Sequence, residues 1–191
     1  AKKEKIKNIT VTNGYINPEP LKELCKLIDA SNIDIKSINP EFYERICEAK
    51  IEPVLEAARI MHKQGVWIEL TNLIIPGLND SYEDINKLID WVRKNLGNDV
   101  PLHFSAFYPE YELLNLPKTS VEILKKARAM ALSKGLHYVY TGNIQDEEGN
   151  NTYCPKCKKA LITRKFFSVI QNKIVKGKCP YCKEKIAGIW N

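Results

Sequence analysis

The apolar positions of the chain follow two rhythms that take turns along it. Ile9-Thr10-Val11-Thr12 has the β-branched character of a short strand and stops at Asn13-Gly14. Pro18 and Pro20 then open a helix carrying Leu21, Leu24, Cys25, Leu27 and Ile28 at spacings of three and four, which makes one apolar face. Period two returns in Asn32-Ile33-Asp34-Ile35-Lys36, a second strand. Asn39 caps a short helix from Pro40 to about Ala49, and Pro53 begins another carrying Val54, Leu55, Ala58, Ile60 and Met61 as far as Gly65. Val66 to Ile75 is the strongest strand, closed by Pro76-Gly77. Ser81, with Asp84 three residues on, reads as a capping box for a helix to about Leu96, ended by Gly97. A strand from Leu102 to Phe107, a helix capped by Ser120 and stopped by Gly135, and a strand from Leu136 to Tyr140 complete the series.

Strands alternating with helices predict an α/β fold of parallel strands, a doubly covered sheet or part of a (β/α) barrel; the partial barrel is the expectation for residues 1–144. An apolar first strand at a sheet edge would leave backbone groups unpaired, so more chain is expected before it. Residues 145–152 read as a polar linker. Residues 153–191 hold three strand-like pieces, Ala160 to Arg164, Phe166 to Ile170 and Ile186 to Trp190. A unit that small needs a staple to fold.

Charge sharpens this division. The chain has a formal net charge of +6, yet residues 151–191 carry ten Lys or Arg against the single acid Glu184, so the preceding residues are net acidic. No run approaches the roughly 18 apolar residues of a membrane helix, and the start does not resemble a signal peptide; no membrane partner and a cytoplasmic location are expected.

The staple is in the cysteines. Cys154-Pro155-Lys156-Cys157 and Cys179-Pro180-Tyr181-Cys182 each place two thiolates on a tight turn, and two such turns complete a tetrahedral site. A structural zinc ion is predicted on Cys154, Cys157, Cys179 and Cys182, in a zinc ribbon, with iron as the alternative metal. Lys156, Lys158, Lys178 and Lys183 are placed to offset the thiolate charge. Cys25 and Cys47 are expected in the core. His62 reads as a surface residue, His103 opens a strand and His137 lies within one; none is assigned a catalytic role, and no other residue is either.

Three strand ends stand out: Thr12-Asn13-Gly14-Tyr15, Asp34-Ile35-Lys36 and Ile75-Pro76-Gly77-Leu78-Asn79-Asp80. In a parallel β/α architecture such ends form one ligand-binding rim. In order and spacing they resemble the later half of radical S-adenosylmethionine (radical SAM) enzymes of the glycyl-radical-activating type. More narrowly, the chain is similar to the radical enzyme of the AmmeMemoRadiSam system, a likeness that Phe42-Tyr43, Glu52 to Glu56, Gly65 to Glu69, Tyr138 to Asn143, Asn151 to Pro155 and Ile186 to Trp190 also carry.

The resemblance implies that Asn13, Asp34 and Lys36 face S-adenosylmethionine, Lys36 toward its carboxylate and the other two toward its amino or ribose groups. It places Pro76 and Gly77 near the adenine. Tyr108 stands where these enzymes tend to carry a His, and Val11 where they carry an Asp. The family's Cys-x-x-x-Cys-x-x-Cys loop, which holds a 4Fe-4S cluster, and its Gly-Gly-Glu region do not occur in this sequence. The resemblance thus implies the C-terminal part of a radical enzyme, inactive alone, with an unidentified radical acceptor and a Memo-like protein partner. The competing reading is a module whose basic ribbon, with Tyr153, Phe166, Phe167, Tyr181 and Trp190, binds single-stranded nucleic acid or a protein on a cluster-free β/α domain. Nucleic acid is not the expected partner.

Overall fold

In the computed structural model, which describes residues 1–165 and 168–190, the elements run β1 (Ile9–Thr12), α1 (Pro18–Cys25), β2 (Ala30–Asp34), α2 (Pro40–Ile46), α3 (Glu52–Lys63), β3 (Trp67–Ile74), α4 (Tyr82–Leu96), β4 (Leu102–Ala106), α5 (Val121–Ser133), β5 (Val139–Gly142), α6 (Glu147–Asn150), β6 (Thr152–Tyr153), β7 (Ala160–Lys165) and β8 (Ser168–Asn172). β1 to β5 form one parallel sheet whose spatial order equals the chain order. That order never reverses, so right-handed crossovers put the helices on one face. α1, α3, α4 and α5 pack there in series.

The predicted caps are present: Asn39 Oδ1 accepts from Glu41 N, Ser81 Oγ from Asp84 N at 3.1 Å and Ser120 Oγ from Ile123 N. β3 alternates perfectly, with Ile68, Leu70, Asn72 and Ile74 buried toward the helices and Trp67, Glu69, Thr71 and Leu73 on the opposite, open face. Against those buried positions α4 lays Ile85, Leu88, Ile89, Val92 and Leu96. Each such side chain contributes about 1.5–3 kcal/mol of burial. Cys25 is buried in this core and Cys47 packs against it.

β1 is one edge of this sheet, paired with β2 alone among the described residues. Its open-face side chains Ile9 and Val11 are 70% and 80% exposed.

Several boundaries differ from those predicted, each for a local reason. β2 ends at Asp34 because Lys36 N donates to the Tyr43 hydroxyl rather than to the ladder. α2 stops before Ala49, with Glu48 in the left-handed region at φ 48°. Leu136 N closes α5 on Ala131 O and His137 N bonds Asn98 O, so His137 precedes β5 instead of lying in it. The 145–152 segment contains α6, and the Thr141 hydroxyl donates to buried Asp146 at 2.9 Å.

β6, β7 and β8 form a separate antiparallel sheet. Of the predicted strand Phe166 to Ile170, Phe166 and Phe167 lie outside the described residues. The predicted strand Ile186 to Trp190 is absent from the described ladders. Gly188, at φ 151°, turns the chain so that the Trp190 indole folds back and its Nε1 donates to Ile186 O at 2.8 Å; a Cβ on Gly188 would lie 2.6 Å from the ring. Two tyrosines join the sheets. Tyr138, buried with Cys154, Leu161, Cys179 and Ile186, accepts from Ala187 N at 3.1 Å, and the Tyr140 hydroxyl bonds Thr152 Oγ1 at 2.9 Å. Among the described residues no helix is long and apolar enough to cross a membrane.

Candidate functional site

The strand ends predicted as a rim do lie side by side, because β1 to β4 are neighbours in register. After β1, Thr12 Oγ1 accepts from Gly14 N and Asn13 Oδ1 from Tyr15 N, which fixes the turn and leaves Asn13 exposed. Gly14 holds φ +71° while its Cα approaches the core; a Cβ there would sit 3.1 Å from Ile33 and 3.2 Å from Val54. Asp34 ends β2, and Lys36 Nζ pairs with its Oδ2 at 2.7 Å, both side chains about one-third exposed. The Tyr43 hydroxyl beneath Lys36 is buried, and burial pushes its phenol up to about 12.

After β3, Pro76 and Gly77 sit in a loop that Asp80 and Asn79 organise. Gly77 N donates to Asp80 Oδ1 at 3.0 Å. Asn79, buried, accepts from Ile75 N at 2.6 Å and donates to Leu73 O at 2.9 Å and to Lys36 O at 2.6 Å. Asn72 also reaches Lys36 O, at 3.1 Å, and Ile35 O at 2.9 Å. The Lys36 and Pro76-Gly77 segments are therefore one hydrogen-bonded unit. Tyr108, after β4, is exposed and donates to Asn143 O at 2.9 Å, while Asn143 donates to Ala106 O at 3.1 Å, so Tyr108 belongs to the β4–β5 end of the same rim. Thr119 ties this end to β3, accepting from Phe107 N at 2.8 Å and donating to Ile74 O. Asn13 has no recorded bond to Asp34 or Lys36; it shares the rim without joining that unit.

Sequence reading missed Asn72 and Thr119, and it placed Asn79 in the third strand end without its role; all three hold the rim without facing out of it. It also missed the open face below. There the register sets Glu69 beside Asn32 and His103 beside Tyr140, and the Thr71 hydroxyl donates diagonally to Asn32 Oδ1 at 2.9 Å. Glu69 Oε2 lies 2.7 Å from His103 Nε2, and Glu69 Oε1 accepts from Trp67 Nε1 at 3.3 Å. Burial works against the Glu69 carboxylate, but His103, Trp67 and the charge of Arg164 outweigh it and hold its pKa below the ordinary value. His62 is exposed, as expected, and His137 pairs with Asp99 at 2.8 Å.

The four ribbon cysteines converge. Cys154 and Cys182 Sγ lie 3.5 Å apart, Cys157 and Cys179 Sγ 3.7 Å apart, and all four within 4.8 Å of one another. Four thiolates at about 2.3 Å from one zinc stand roughly 3.8 Å apart, so the quartet fits a tetrahedral metal ion. The two turns repeat each other. Lys158 N and Lys183 N donate to Cys154 O and Cys179 O at 3.0 Å, and Cys154 N and Cys179 N donate to Lys159 O and Glu184 O. Lys158 and Lys183 turn their ammonium groups onto Pro155 O and Pro180 O, and Lys156 lies 3.6 Å from Glu184.

The model of the Radical SAM superfamily matches residues 1–92. These residues include the Asn13 turn, the Asp34–Lys36 pair and the Pro76-Gly77 loop. The chain is 29% identical over 75 residues to a pyruvate formate-lyase-activating enzyme of Streptococcus mutans, covering 39% of this chain and 28% of that protein. Both are likenesses over less than half of this chain. The chain is also 48% identical over 181 residues to the protein MJ0808 of Methanocaldococcus jannaschii, covering 94% of this chain and 54% of that one. It therefore spans about half the length, or less, of these curated relatives. Among solved structures, a domain of a pyruvate-formate lyase-activating enzyme from Bacteroides vulgatus superposes with a TM-score of 0.63 at 16% identity, over 74% of this chain and 84% of that one, a likeness of fold.

Proposed function

We propose that the chain is the C-terminal part of a radical SAM enzyme of the AmmeMemoRadiSam type, a partial (β/α) barrel whose rim binds S-adenosylmethionine and whose ribbon holds a structural zinc ion. The observation that carries this reading is the unit formed by Asp34, Lys36 and the Pro76-Gly77 loop, locked by Asn79. A zwitterion needs a cation and an anion close together, and this unit supplies them in Lys36 and Asp34. Lys36 would meet the carboxylate of the ligand; Asp34 and Asn13 would accept from its amino or ribose groups; the strand end at Pro76 and Gly77 would lie against adenine, with Tyr108 at the far side of the rim.

Bound to its cluster, a 4Fe-4S enzyme of this class supplies the electron that cleaves S-adenosylmethionine. The cysteines here do not fit that cluster. Cys25 and Cys47 lie with the helix-side core and the ribbon quartet is a closed site on its own. A Memo-like protein is the partner proposed to present or receive the radical acceptor.

The test is S-adenosylmethionine binding by equilibrium dialysis to the full-length enzyme, wild type and Asp34→Asn. Loss of one charge-assisted hydrogen bond, about 1.5–3 kcal/mol, lowers affinity by roughly ten- to a hundredfold. Equal affinity would remove the rim from the account.

A further inference from the structure

The open face carries a second cluster of polar groups that the rim does not use. Glu69 and His103 are paired at 2.7 Å, and His103 stacks on Tyr140 with ring centroids 4.9 Å apart and planes 24° from parallel. Over the Tyr140 ring lies a residue from the other sheet: Arg164 of β7, its Cζ 5.7 Å from the ring centroid. Arg164 is anchored, with Nη1 donating to Asn150 O and to Thr152 Oγ1, both at 3.0 Å. Its Nε and Nη2, and His103 Nδ1, have no partner among the described residues. Glu69, His103, Tyr140, Thr141, Asn150 and Arg164 together line a cavity of about 280 Å³.

What such a cavity takes follows from what is left free in it. Glu69 has both oxygens engaged, by Trp67 and His103. Tyr140 and Thr141 have hydroxyls committed to Thr152 and Asp146. The spare capacity lies with a planar guanidinium edge and the His103 Nδ1 ring nitrogen, neither of which has a partner among the described residues. A guanidinium edge held by its other side is a fork for a carboxylate.

We propose that this pocket is a carboxylate-binding site for the small-molecule radical acceptor, with Arg164, delivered by the ribbon, and His103 as the donors that hold the acid. This substrate class rests on the radical SAM reading of the neighbouring rim. The same geometry gives the ribbon a role beyond scaffolding: it completes the acceptor pocket on the sheet.

The test is an NMR titration of the zinc-loaded chain with sodium acetate, observing the Arg164 Nε–H and the His103 ring protons. Saturable shifts at both are expected, with methylammonium chloride producing none. Arg164→Gln and His103→Gln should each weaken acetate binding at least tenfold, and Arg164→Lys less than Arg164→Gln. One zinc per chain and unchanged ribbon amide shifts in Arg164→Gln separate loss of the donor from loss of the fold. Acetate shifts confined to the ribbon lysines, or equal affinity in both Gln variants, would overturn the site. S-adenosylmethionine binding in the same variants should be unchanged. If acetate binds at Arg164 while S-adenosylmethionine fails to bind any form, the pocket stands and the radical SAM reading of the rim falls; the opposite pattern removes the pocket and leaves the rim.

Discussion

Asn79 holds Lys36 by its carbonyl: the Asn79 side chain, from the loop after β3, donates to Lys36 O at 2.6 Å across the sheet. The same amide accepts from Ile75 N and donates to Leu73 O, so one buried side chain sets the relative position of two loops. Asn79→Ala leaves Ile75 N without its acceptor and removes one of the two donors to Lys36 O. Urea denaturation should show a loss of about 2–4 kcal/mol, the cost of buried polar groups left unpaired. A loss under half that would mean that solvent reaches these groups.

Lys158 and Lys183 occupy matching places in the two cysteine turns, at φ 59° and 63°. A side chain in the left-handed region costs roughly 1 kcal/mol or more relative to Gly. Lys183→Gly should therefore raise the ribbon's thermal stability at constant zinc, offset in part by loss of the ammonium contact to Pro180 O. A fall in stability would show that this contact outweighs the backbone strain.

The Glu69 carboxyl titrates below its usual value of 4.5 in the fold, against its own burial, through His103, Trp67 and Arg164. A depressed carboxyl adds stability that is fully present above the unfolded value and disappears as pH falls through the lower folded one. The stability difference between wild type and Glu69→Gln should hold level from neutral pH down to about 4.5 and shrink below it. A difference that grows as the pH drops would invert the sign of this argument.

Cys154 to Cys182 and Cys157 to Cys179 make opposite edges of one sulfur tetrahedron. Elemental analysis should find one zinc per chain, and cobalt substitution should give the absorption of a tetrahedral thiolate site. Cys179→Ser should lose the metal and, because structural zinc supplies folding energy, the dispersed amide signals of β6 to β8. Iron recovered in place of zinc would reassign the ion while leaving the ligands.

The parts legible in the sequence were those written locally. Pro18, Asn39, Ser81 and Ser120 announce helix starts that the structure contains, and the two Cys-x-x-Cys turns announce their convergence. Asn13, Asp34, Lys36, Pro76, Gly77 and Tyr108 were locatable because parallel strands put all their C-terminal ends on one side. What stayed hidden depends on register. That His103, opposite Thr71 and Tyr140, also reaches the diagonal Glu69 follows from the offset at which β4 meets β3 and β5, which no strand records alone. Arg164 was hidden more deeply, since its place over Tyr140 requires one sheet to dock on the other. Trp190 misled in the opposite direction: an apolar run suggested a strand, and Gly188 folded it into a turn instead.

The account stands or falls on the pair Asp34–Lys36 as a ligand site. The most direct measurement is S-adenosylmethionine affinity of the protein with Lys36→Gln, a change that removes the cation and keeps much of the side chain. The account expects affinity to fall at least tenfold while the urea midpoint stays near that of the wild type, because the ion pair itself is partly exposed and adds little to folding. Undiminished binding in a folded Lys36→Gln protein would contradict it.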